Sequence, residues 1–217
     1  MAKREEKGTA IPWLGEAGEQ GEALEGLFIA GEREGSGAGA VIAPPHPLYG
    51  GSMESPVVSE LAWACTKAGL ASLRFNWRGV GGSTGAPSGE LAVGAQDYGA
   101  ALLQLGRTVP GPLVAAGYSF GAAAAVRAAS DQPRVRRLLL VAPPPALLDA
   151  EALRAGEREI LLLAGEHDSI APPAALEALA RELPAARFVL LPEADHFFAA
   201  GLAELTAEVS SWLAGLR

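Results

Sequence analysis

The chain has a single cysteine, Cys65, among its 217 residues. A lone cysteine cannot form an intrachain disulfide. Cys65 falls on one helical face with Val58, Leu61 and Ala62, which is the pattern of a small buried hydrophobe. The sequence therefore predicts a core position for this thiol rather than a role as a nucleophile.

Long apolar runs are also absent. No apolar stretch reaches the roughly 18 residues that a membrane-spanning helix needs. Residues 1–7 are charged but are not followed by an apolar core of signal-peptide length. We therefore expect no membrane partner and a cytoplasmic location.

Positive charge is scarce, because 17 Lys and Arg face 25 Asp and Glu and the net charge is −8. The arginines are scattered along the chain, so a nucleic-acid partner is not expected. With 49% hydrophobic residues and no long polar tract, the chain fits one compact soluble domain built around a covered sheet.

Motifs for cofactors and metals are missing as well. The glycine series after Arg78 lacks the Gly-Lys-Ser/Thr ending of a phosphate-binding loop, and Thr84 stands where a dinucleotide fingerprint has its third glycine. No His/Cys/Asp cluster has the spacing of metal ligands. The sequence predicts neither a cofactor nor a metal.

The strongest positive signal is the pentapeptide at 117–121 (GYSFG), which lies between an apolar run at 112–116 and a helix-forming run at 122–129. A Gly-x-Ser-x-Gly between strand and helix is typical of a nucleophile elbow, in which Ser119 sits on a sharp turn above the sheet. Gly117 and Gly121 supply the small neighbours that this turn requires. The alternative is a glycine-rich turn with an ordinary exposed serine.

Two further residues follow apolar runs of strand length. Asp168 comes after the run that starts at 160, and His196 after the run at 188–191. The carboxyl ends of parallel strands meet at one edge of a sheet, so both side chains are expected near Ser119. The chain order Ser, Asp, His together with an elbow is the α/β-hydrolase arrangement.

Apolar runs alternate with helical patterns along the chain, which predicts an α/β fold: a mostly parallel central sheet covered by helices on both faces. The predicted strands are 24–30, 38–43, 70–75, 112–116, 135–141, the run from 160, and 188–191. The predicted helices are 56–68, 90–105, 122–129, 146–154, 173–183 and an apolar-striped final segment.

Only about eighteen residues connect the strands that end at 141 and begin at 160. A full cap domain does not fit in that space, so the site is expected to be shallow and open. Residues 21–217 are predicted to form a single domain. Residues 1–20 are predicted to be an N-terminal extension, either disordered or free to fold over the site.

The chain resembles the α/β-hydrolase superfamily from about residue 24 to its end, and most of all its small capless bacterial branch of predicted hydrolases or esterases. The likeness rests on residues 46–53 (HPLYGGSM), 74–83 (RFNWRGVGGS), 117–121 (GYSFG) and 194–198 (ADHFF). The resemblance implies a fold and a hydrolase chemistry, but that branch has no settled substrate.

By the resemblance, two backbone N–H groups form an oxyanion hole, one after the third strand and one after the nucleophile. Pro47 stands where the superfamily usually has glycine. The expected donors are Leu48 and Phe120, with Tyr49 as the alternative to Leu48. His46 is expected to hold this loop through hydrogen bonds, with direct chemistry as the less favoured alternative.

The general base is bounded by the presence of only three histidines. His167 adjoins the candidate acid and His46 belongs to the oxyanion loop, which leaves His196. Asp168 is preferred as the acid and Glu166 comes second. Asp195 is too close to its own histidine in sequence, and the remaining candidates, Asp149 and Glu151, fall in a helix-like segment.

Five side chains from the same loops are candidates for a substrate pocket. The alternative for each aromatic ring is packing against neighbouring loops, and the alternative for the arginine is a structural role. The five side chains are Tyr49, Trp77, Arg78, Tyr118 and Phe197.

These residues predict a serine hydrolase that cleaves small carboxylic esters through an acyl-enzyme, with thioesters and small amides or peptides next. The expected partner is a small ester-type molecule. Two alternatives are a non-catalytic binding or scaffold protein on a hydrolase fold, and an acyltransferase.

Overall fold

The computed structural model describes residues 5–13, 22–31, 37–154 and 157–215. Its centre is an eight-stranded sheet with the order β1-β2-β4-β3-β5-β6-β7-β8. The strands are β1 (Lys7–Pro12), β2 (Ala23–Ile29), β3 (Gly39–Ala43), β4 (Ala71–Phe75), β5 (Leu113–Tyr118), β6 (Val135–Val141), β7 (Glu159–Gly165) and β8 (Ala186–Leu191).

Six α-helices lie between or after these strands in the described chain, and they confirm the predicted α/β class. They are α1 (Pro56–Lys67), α2 (Leu91–Thr108), α3 (Phe120–Ala129), α4 (Ala150–Arg154), α5 (Pro173–Arg181) and α6 (Leu202–Leu213). Helix α1 packs against α6, and α2 packs against α3, so that helices cover both faces of the sheet.

From β4 to β8 across the sheet, every neighbouring pair of described strands is parallel. These strands therefore deliver the loops that follow them to one edge. Strands β3, β4 and β5 are buried along their whole length, as expected for parallel strands covered on both faces. The loop after β5 leaves from the middle of this edge, with the loops after β3 and β6 on either side.

The first strand was not predicted. Residues 7–12 pair antiparallel with β2, which itself runs antiparallel to β4. This part of the predicted N-terminal extension therefore belongs to the sheet and is not a free segment. Residues 1–4 and 14–20 of the predicted extension lie outside the described residues. The sequence signal was weak because Ile11 is the only buried side chain of β1.

The predicted position of Cys65 is confirmed, because this side chain on α1 is fully buried. Burial raises the pKa of the Cys65 thiol to about 12, since a thiolate is poorly solvated in an apolar interior. Cys65 is therefore a small core hydrophobe.

Residues 142–158 connect β6 to β7, and their described part holds a 3-10 turn at Pro145–Leu147 and the short helix α4. This connection is too short for a cap domain, as predicted. Among the described residues, no helix combines the length and apolar character needed to cross a bilayer.

Candidate active site

Ser119 sits between β5 and α3 with φ 56° and ψ −120°, outside the usual regions for a residue with a side chain. Its N–H donates to the Val141 carbonyl at 2.8 Å, which ties the turn to the neighbouring strand β6. This strained strand-to-helix turn has the form of the predicted nucleophile elbow.

The two glycines of the pentapeptide make this turn possible. A Cβ on Gly117 would lie 2.4 Å from the backbone of Gly121, and a Cβ on Gly121 would lie 2.4 Å from the Pro44 carbonyl oxygen. Either contact is far inside van der Waals distance. The glycines thus let β5, α3 and the loop after β3 approach one another around Ser119.

His196 reaches Ser119 from the loop after β8. Its Nε2 lies 3.0 Å from the serine Oγ, which is hydrogen-bond distance. The Tyr118 hydroxyl donates to the His196 carbonyl oxygen at 2.7 Å. The residue next to the serine therefore holds the backbone of the histidine.

Asp168 follows β7 and lies on the far side of the imidazole. Its Oδ2 is 2.8 Å from His196 Nδ1, and its Oδ1 accepts N–H bonds from Ile170 at 2.8 Å and Ala171 at 2.7 Å. One oxygen is thus fixed by backbone donors while the other faces the histidine. This arrangement selects the tautomer with the proton on Nδ1, leaving Nε2 free to accept from Ser119.

The structure therefore brings together all three residues that the sequence placed at one edge. Each is nearly buried, with exposed fractions of 7% for Ser119, 4% for Asp168 and 7% for His196. Glu166, the second choice for the acid, is exposed and accepts the Glu193 N–H instead.

The loop after β3 contains a 3-10 turn, Pro47–Tyr49, and lies against the start of α3. The Leu48 N–H donates to His46 Nδ1 at 3.2 Å, and the Tyr49 N–H donates to the His46 carbonyl at 3.1 Å. Burial lowers the pKa of His46 below its usual 6.5, so that the neutral ring can accept this hydrogen bond. These contacts are the loop-holding arrangement expected for His46.

Phe120 is the first residue of α3. The first N–H groups of a helix have no acceptor within the helix, and the positive end of the helix dipole lies at the same place. The Phe120 N–H therefore lies directly after Ser119 and has no acceptor within the helix. Its ring packs against His46 at a centroid distance of 4.8 Å.

Two of the five predicted pocket residues are exposed on the surface beside the candidate active site, which is called the rim below. Tyr49 is 86% exposed and Phe197 is 71% exposed. The Phe197 ring is 5.6 Å from the His196 ring, and the Tyr49 ring is 4.6 Å from His46.

The other two aromatic side chains are placed differently. Trp77 is 1% exposed and Tyr118 is 4% exposed. The Trp77 indole N–H and the Tyr118 hydroxyl each donate to a backbone carbonyl oxygen. In this structure they pack beneath the loops, which was the alternative for each ring. They do not line an open pocket because tertiary contacts turn both rings toward the core.

Arg78 is also placed away from a substrate-binding role. Its Nε and Nη2 donate to Asp97 Oδ1 at 2.8 and 2.6 Å, and its backbone N–H donates to Asp97 Oδ2 at 3.0 Å. Its guanidinium stacks over the Trp13 ring at 4.0 Å. The structure thus shows the structural alternative, in which Arg78 ties the loop after β4 to α2.

A hydrogen-bond network that no sequence motif indicated connects the loops after β3 and β4 to β2. Asn76 Oδ1 accepts the Met53 N–H at 2.8 Å, and Asn76 Nδ2 donates to Glu25 Oε2 at 2.8 Å. Glu25 also accepts the Gly82 N–H. The partners lie on three separate segments, so no local pattern in the sequence reveals the network.

Three exposed side chains beside the acid and histidine loops place possible ligand atoms within 4.8 Å of one another: Glu166, His167 and Glu193. Their separation along the chain hid this group from an inspection of ligand spacing. Exposed acidic groups commonly meet in this way without an ion, so we assign no metal to it.

No protein-family model matches the chain. The chain is 30% identical over 186 residues to an uncharacterised protein of Rickettsia prowazekii, a match that covers 80% of this chain and 77% of that protein.

Solved structures resemble the chain over nearly its whole length. An α/β serine hydrolase homologue from Coxiella burnetii has a TM-score of 0.84 at 29% identity, covering 95% of this chain and 97% of that one. A serine hydrolase without a lid from Xanthomonas campestris has a TM-score of 0.82 at 25% identity, covering 97% and 94%. The chain belongs to the α/β-hydrolase superfamily, among its members without a cap.

Proposed function

We propose that this protein is a serine hydrolase that cleaves small carboxylic esters through an acyl-enzyme. The observation that carries the proposal is the continuous chain of short contacts from Ser119 Oγ to His196 Nε2 and from His196 Nδ1 to Asp168 Oδ2, at 3.0 and 2.8 Å. A hydroxyl, an imidazole and a carboxylate in this order form the arrangement that activates a serine as a nucleophile.

In the proposed first step, Ser119 Oγ forms a bond to the ester carbonyl carbon while His196 Nε2 takes the hydroxyl proton. The tetrahedral intermediate then expels the alcohol, which receives that proton from the imidazolium. Water then attacks the acyl-enzyme while His196 takes a proton from it. The acyl–oxygen bond to Ser119 breaks, His196 returns the proton to Ser119 Oγ, and the carboxylic acid leaves.

Asp168 has the role of orienting the imidazole and stabilising its positive charge. Support for this role comes from the two backbone N–H groups on its Oδ1, which keep Oδ2 directed at Nδ1. A carboxylate that could rotate freely would not hold the histidine in one tautomer.

The proposed oxyanion donors are the N–H groups of Leu48 and Phe120. The Tyr49 N–H closes the 3-10 turn onto the His46 carbonyl, so Leu48 is the better choice for the first donor. Its present bond to the neutral His46 ring is long, at 3.2 Å. A negatively charged oxygen would compete well for this N–H, because charge-assisted hydrogen bonds are roughly twice as strong as neutral ones.

The substrate class is proposed from the rim. Leu48, Tyr49 and Phe197 are large apolar side chains that are all more than half exposed, and they offer an apolar surface for a small acyl or aromatic group. The described residues form no cap over Ser119, so selection of the substrate would rest on the rim. Small carboxylic esters fit this surface best, and thioesters and small amides come next.

A fluorophosphonate probe tests the proposed nucleophile. Ser119 Oγ should attack phosphorus and expel fluoride, leaving one adduct that peptide mass spectrometry locates on Ser119. The folded Ser119→Ala variant should remain unlabelled and should lose hydrolysis of a short nitrophenyl ester by about 1,000-fold or more.

His196→Ala should lose activity to a similar extent while keeping the wild-type melting temperature to within a few degrees. A folded wild-type chain that forms no adduct on Ser119 would contradict the proposal and favour a non-catalytic binding protein. Retained turnover in either folded variant would show that the nucleophile or the base lies elsewhere.

A further inference from the structure

Trp77, which follows β4, is a fully internal side chain with one polar contact. It is 1% exposed, and its Nε1–H donates to the Pro45 carbonyl oxygen at 2.8 Å. Pro45 belongs to the loop after β3, three residues before Leu48. The indole thus holds the segment that presents the first proposed oxyanion donor.

The same indole also contacts the second half of the proposed oxyanion hole. Its ring meets the Phe120 ring edge to face, with centroids 5.5 Å apart and planes at 84°. Phe120 in turn packs against His46 at 4.8 Å. Trp77 therefore touches both the loop that carries Leu48 and the residue whose own N–H is the second donor.

The neighbouring residue strengthens this arrangement. Asn76 Oδ1 accepts the Met53 N–H at 2.8 Å, near the far end of the same loop. Glu25 fixes the other side of the Asn76 amide through Nδ2 at 2.8 Å. Two consecutive residues thus hold the loop at both ends, Trp77 at its start and Asn76 at its end.

The space between these elements leaves the loop little freedom. Gly121 lies so close to the Pro44 carbonyl that a Cβ there would be 2.4 Å from the oxygen. The loop is therefore enclosed between the first turn of α3 and the indole. A change in the indole contact should move Pro45 and, with it, the Leu48 N–H relative to the Phe120 N–H.

We propose that Trp77 is a positioning residue that sets the distance between the two oxyanion donors, an inference that rests on the proposed serine hydrolase function. An oxyanion hole stabilises the transition state only when its donors are already placed within about 2.7–3.1 Å of the developing charge. Trp77 touches no substrate in this role. It acts through the Pro45 carbonyl and the Phe120 ring.

The test is Trp77→Phe, which keeps an aromatic ring and removes the N–H that binds Pro45. For a short nitrophenyl ester, kcat should fall by about 10- to 100-fold, less than the roughly 100- to 1,000-fold cost of deleting a donor outright. KM should stay within about twofold, because the oxyanion forms only in the transition state.

A second readout separates positioning from a purely structural role. A phenylboronic acid that forms a tetrahedral adduct on Ser119 places an oxygen in the oxyanion hole, so its dissociation constant should rise in Trp77→Phe by a factor similar to the loss in kcat. The matched control is Trp63→Phe on α1, whose indole is half exposed. This control should leave kcat, KM and boronate affinity unchanged.

The outcomes are distinct. Suppose that the wild type hydrolyses the ester. If Trp77→Phe then keeps kcat within twofold, or loses kcat with no rise in the boronate dissociation constant, the inference about Trp77 is wrong and the proposed function stands. If the wild type neither hydrolyses the ester nor reacts with a fluorophosphonate, the function is wrong and this inference with it. Should Trp77→Phe fail to fold, replacing Trp77 by β-(3-benzothienyl)alanine removes only the N–H, and the same criteria apply.

Discussion

Ser119 has a positive φ, and three other described non-glycine residues share this feature: Ala142, Glu193 and Phe198. All four follow strands at the carboxyl edge of the sheet, after β5, β6 and β8. Such conformations cost on the order of 1–3 kcal/mol each and persist only where surrounding contacts enforce them. Backbone strain is therefore concentrated at single residues in the loops that carry the candidate site.

The close contact of Gly121 with the loop after β3 should make this position intolerant of a side chain. In Gly121→Ala, the new Cβ must displace the Pro44 carbonyl, which is backbone and cannot rotate away. We expect a loss of about 1–3 kcal/mol in the free energy of unfolding, as for other overpacked sites, together with a lower kcat. Urea unfolding and ester kinetics measure the two effects.

Gly99→Ala is the matched control. Gly99 lies within α2, and a Cβ built there meets nothing within 4 Å. Alanine is the better helix former by about 1 kcal/mol, so this variant should be more stable than the wild type and equally active. Equal effects of the two substitutions would contradict the proposed role of the Gly121 contact.

At the element scale, the loop after β4 is the part that links the others. Its Asn76 and Trp77 hold the loop after β3, and its Arg78 holds α2 through Asp97, which is 1% exposed. Burial raises the pKa of Asp97, and the hydrogen bonds and charge of Arg78 oppose that shift. Three consecutive residues therefore anchor this loop to two other elements, the loop after β3 and α2.

Arg78→Met should lower the free energy of unfolding, because it leaves the buried Asp97 carboxylate without its ion-pair partner. Removing one partner of a buried ion pair typically costs about 3–5 kcal/mol of unfolding free energy, and we expect that loss at pH 7. Without Arg78, burial alone acts on Asp97, so its pKa in the folded state rises further above the unfolded value.

A group with a raised folded pKa stabilises the fold when protonated and loses that contribution as the pH rises through the folded pKa. Arg78→Met should therefore recover part of its stability as the pH falls below 7, measured by urea unfolding across that range. The double variant Arg78→Met/Asp97→Leu should be more stable at pH 7 than Arg78→Met. A pH-independent loss in the single variant would show that the carboxylate is not its source.

The elements that were predicted from the sequence are those whose signals are local. Apolar runs marked the parallel strands, and the motif around Ser119 together with the strand ends before Asp168 and His196 indicated which side chains would meet. The direction of the Trp77 and Arg78 side chains was not predictable in the same way, because it is set by Pro45 and Asp97 on distant segments. A residue's position on a loop does not determine whether its side chain faces the substrate or the core.

At the scale of the whole molecule, the N-terminal strand completes the sheet beside β2. Glu6 pairs with the buried Arg74 at 3.0 Å, Ile11 is fully buried, and Trp13 stacks on Arg78. The antiparallel hydrogen bonds of β1 cover an edge of β2 that would otherwise be open to other chains.

Deletion of residues 1–13 should lower the melting temperature and promote association, because it uncovers that edge and the apolar surface around Ile11. Calorimetry and size-exclusion chromatography measure both effects. Glu6→Gln removes only the ion pair with Arg74, so it should lower the melting temperature much less and should not aggregate. A truncated chain with wild-type stability and size would show that β1 contributes little to the fold.

The missing cap has a consequence for how such an enzyme would distinguish its substrates. Because no cap stands over Ser119 in the part of the chain that the structure describes, the portion of a molecule remote from the bond being cut would project into solvent and go unrecognised. Discrimination would then depend on groups next to the carbonyl, and esters attached to large carriers would be accepted alongside free ones. Exchanging a few rim side chains such as Tyr49 and Phe197 could redirect the selectivity while the sheet stays untouched.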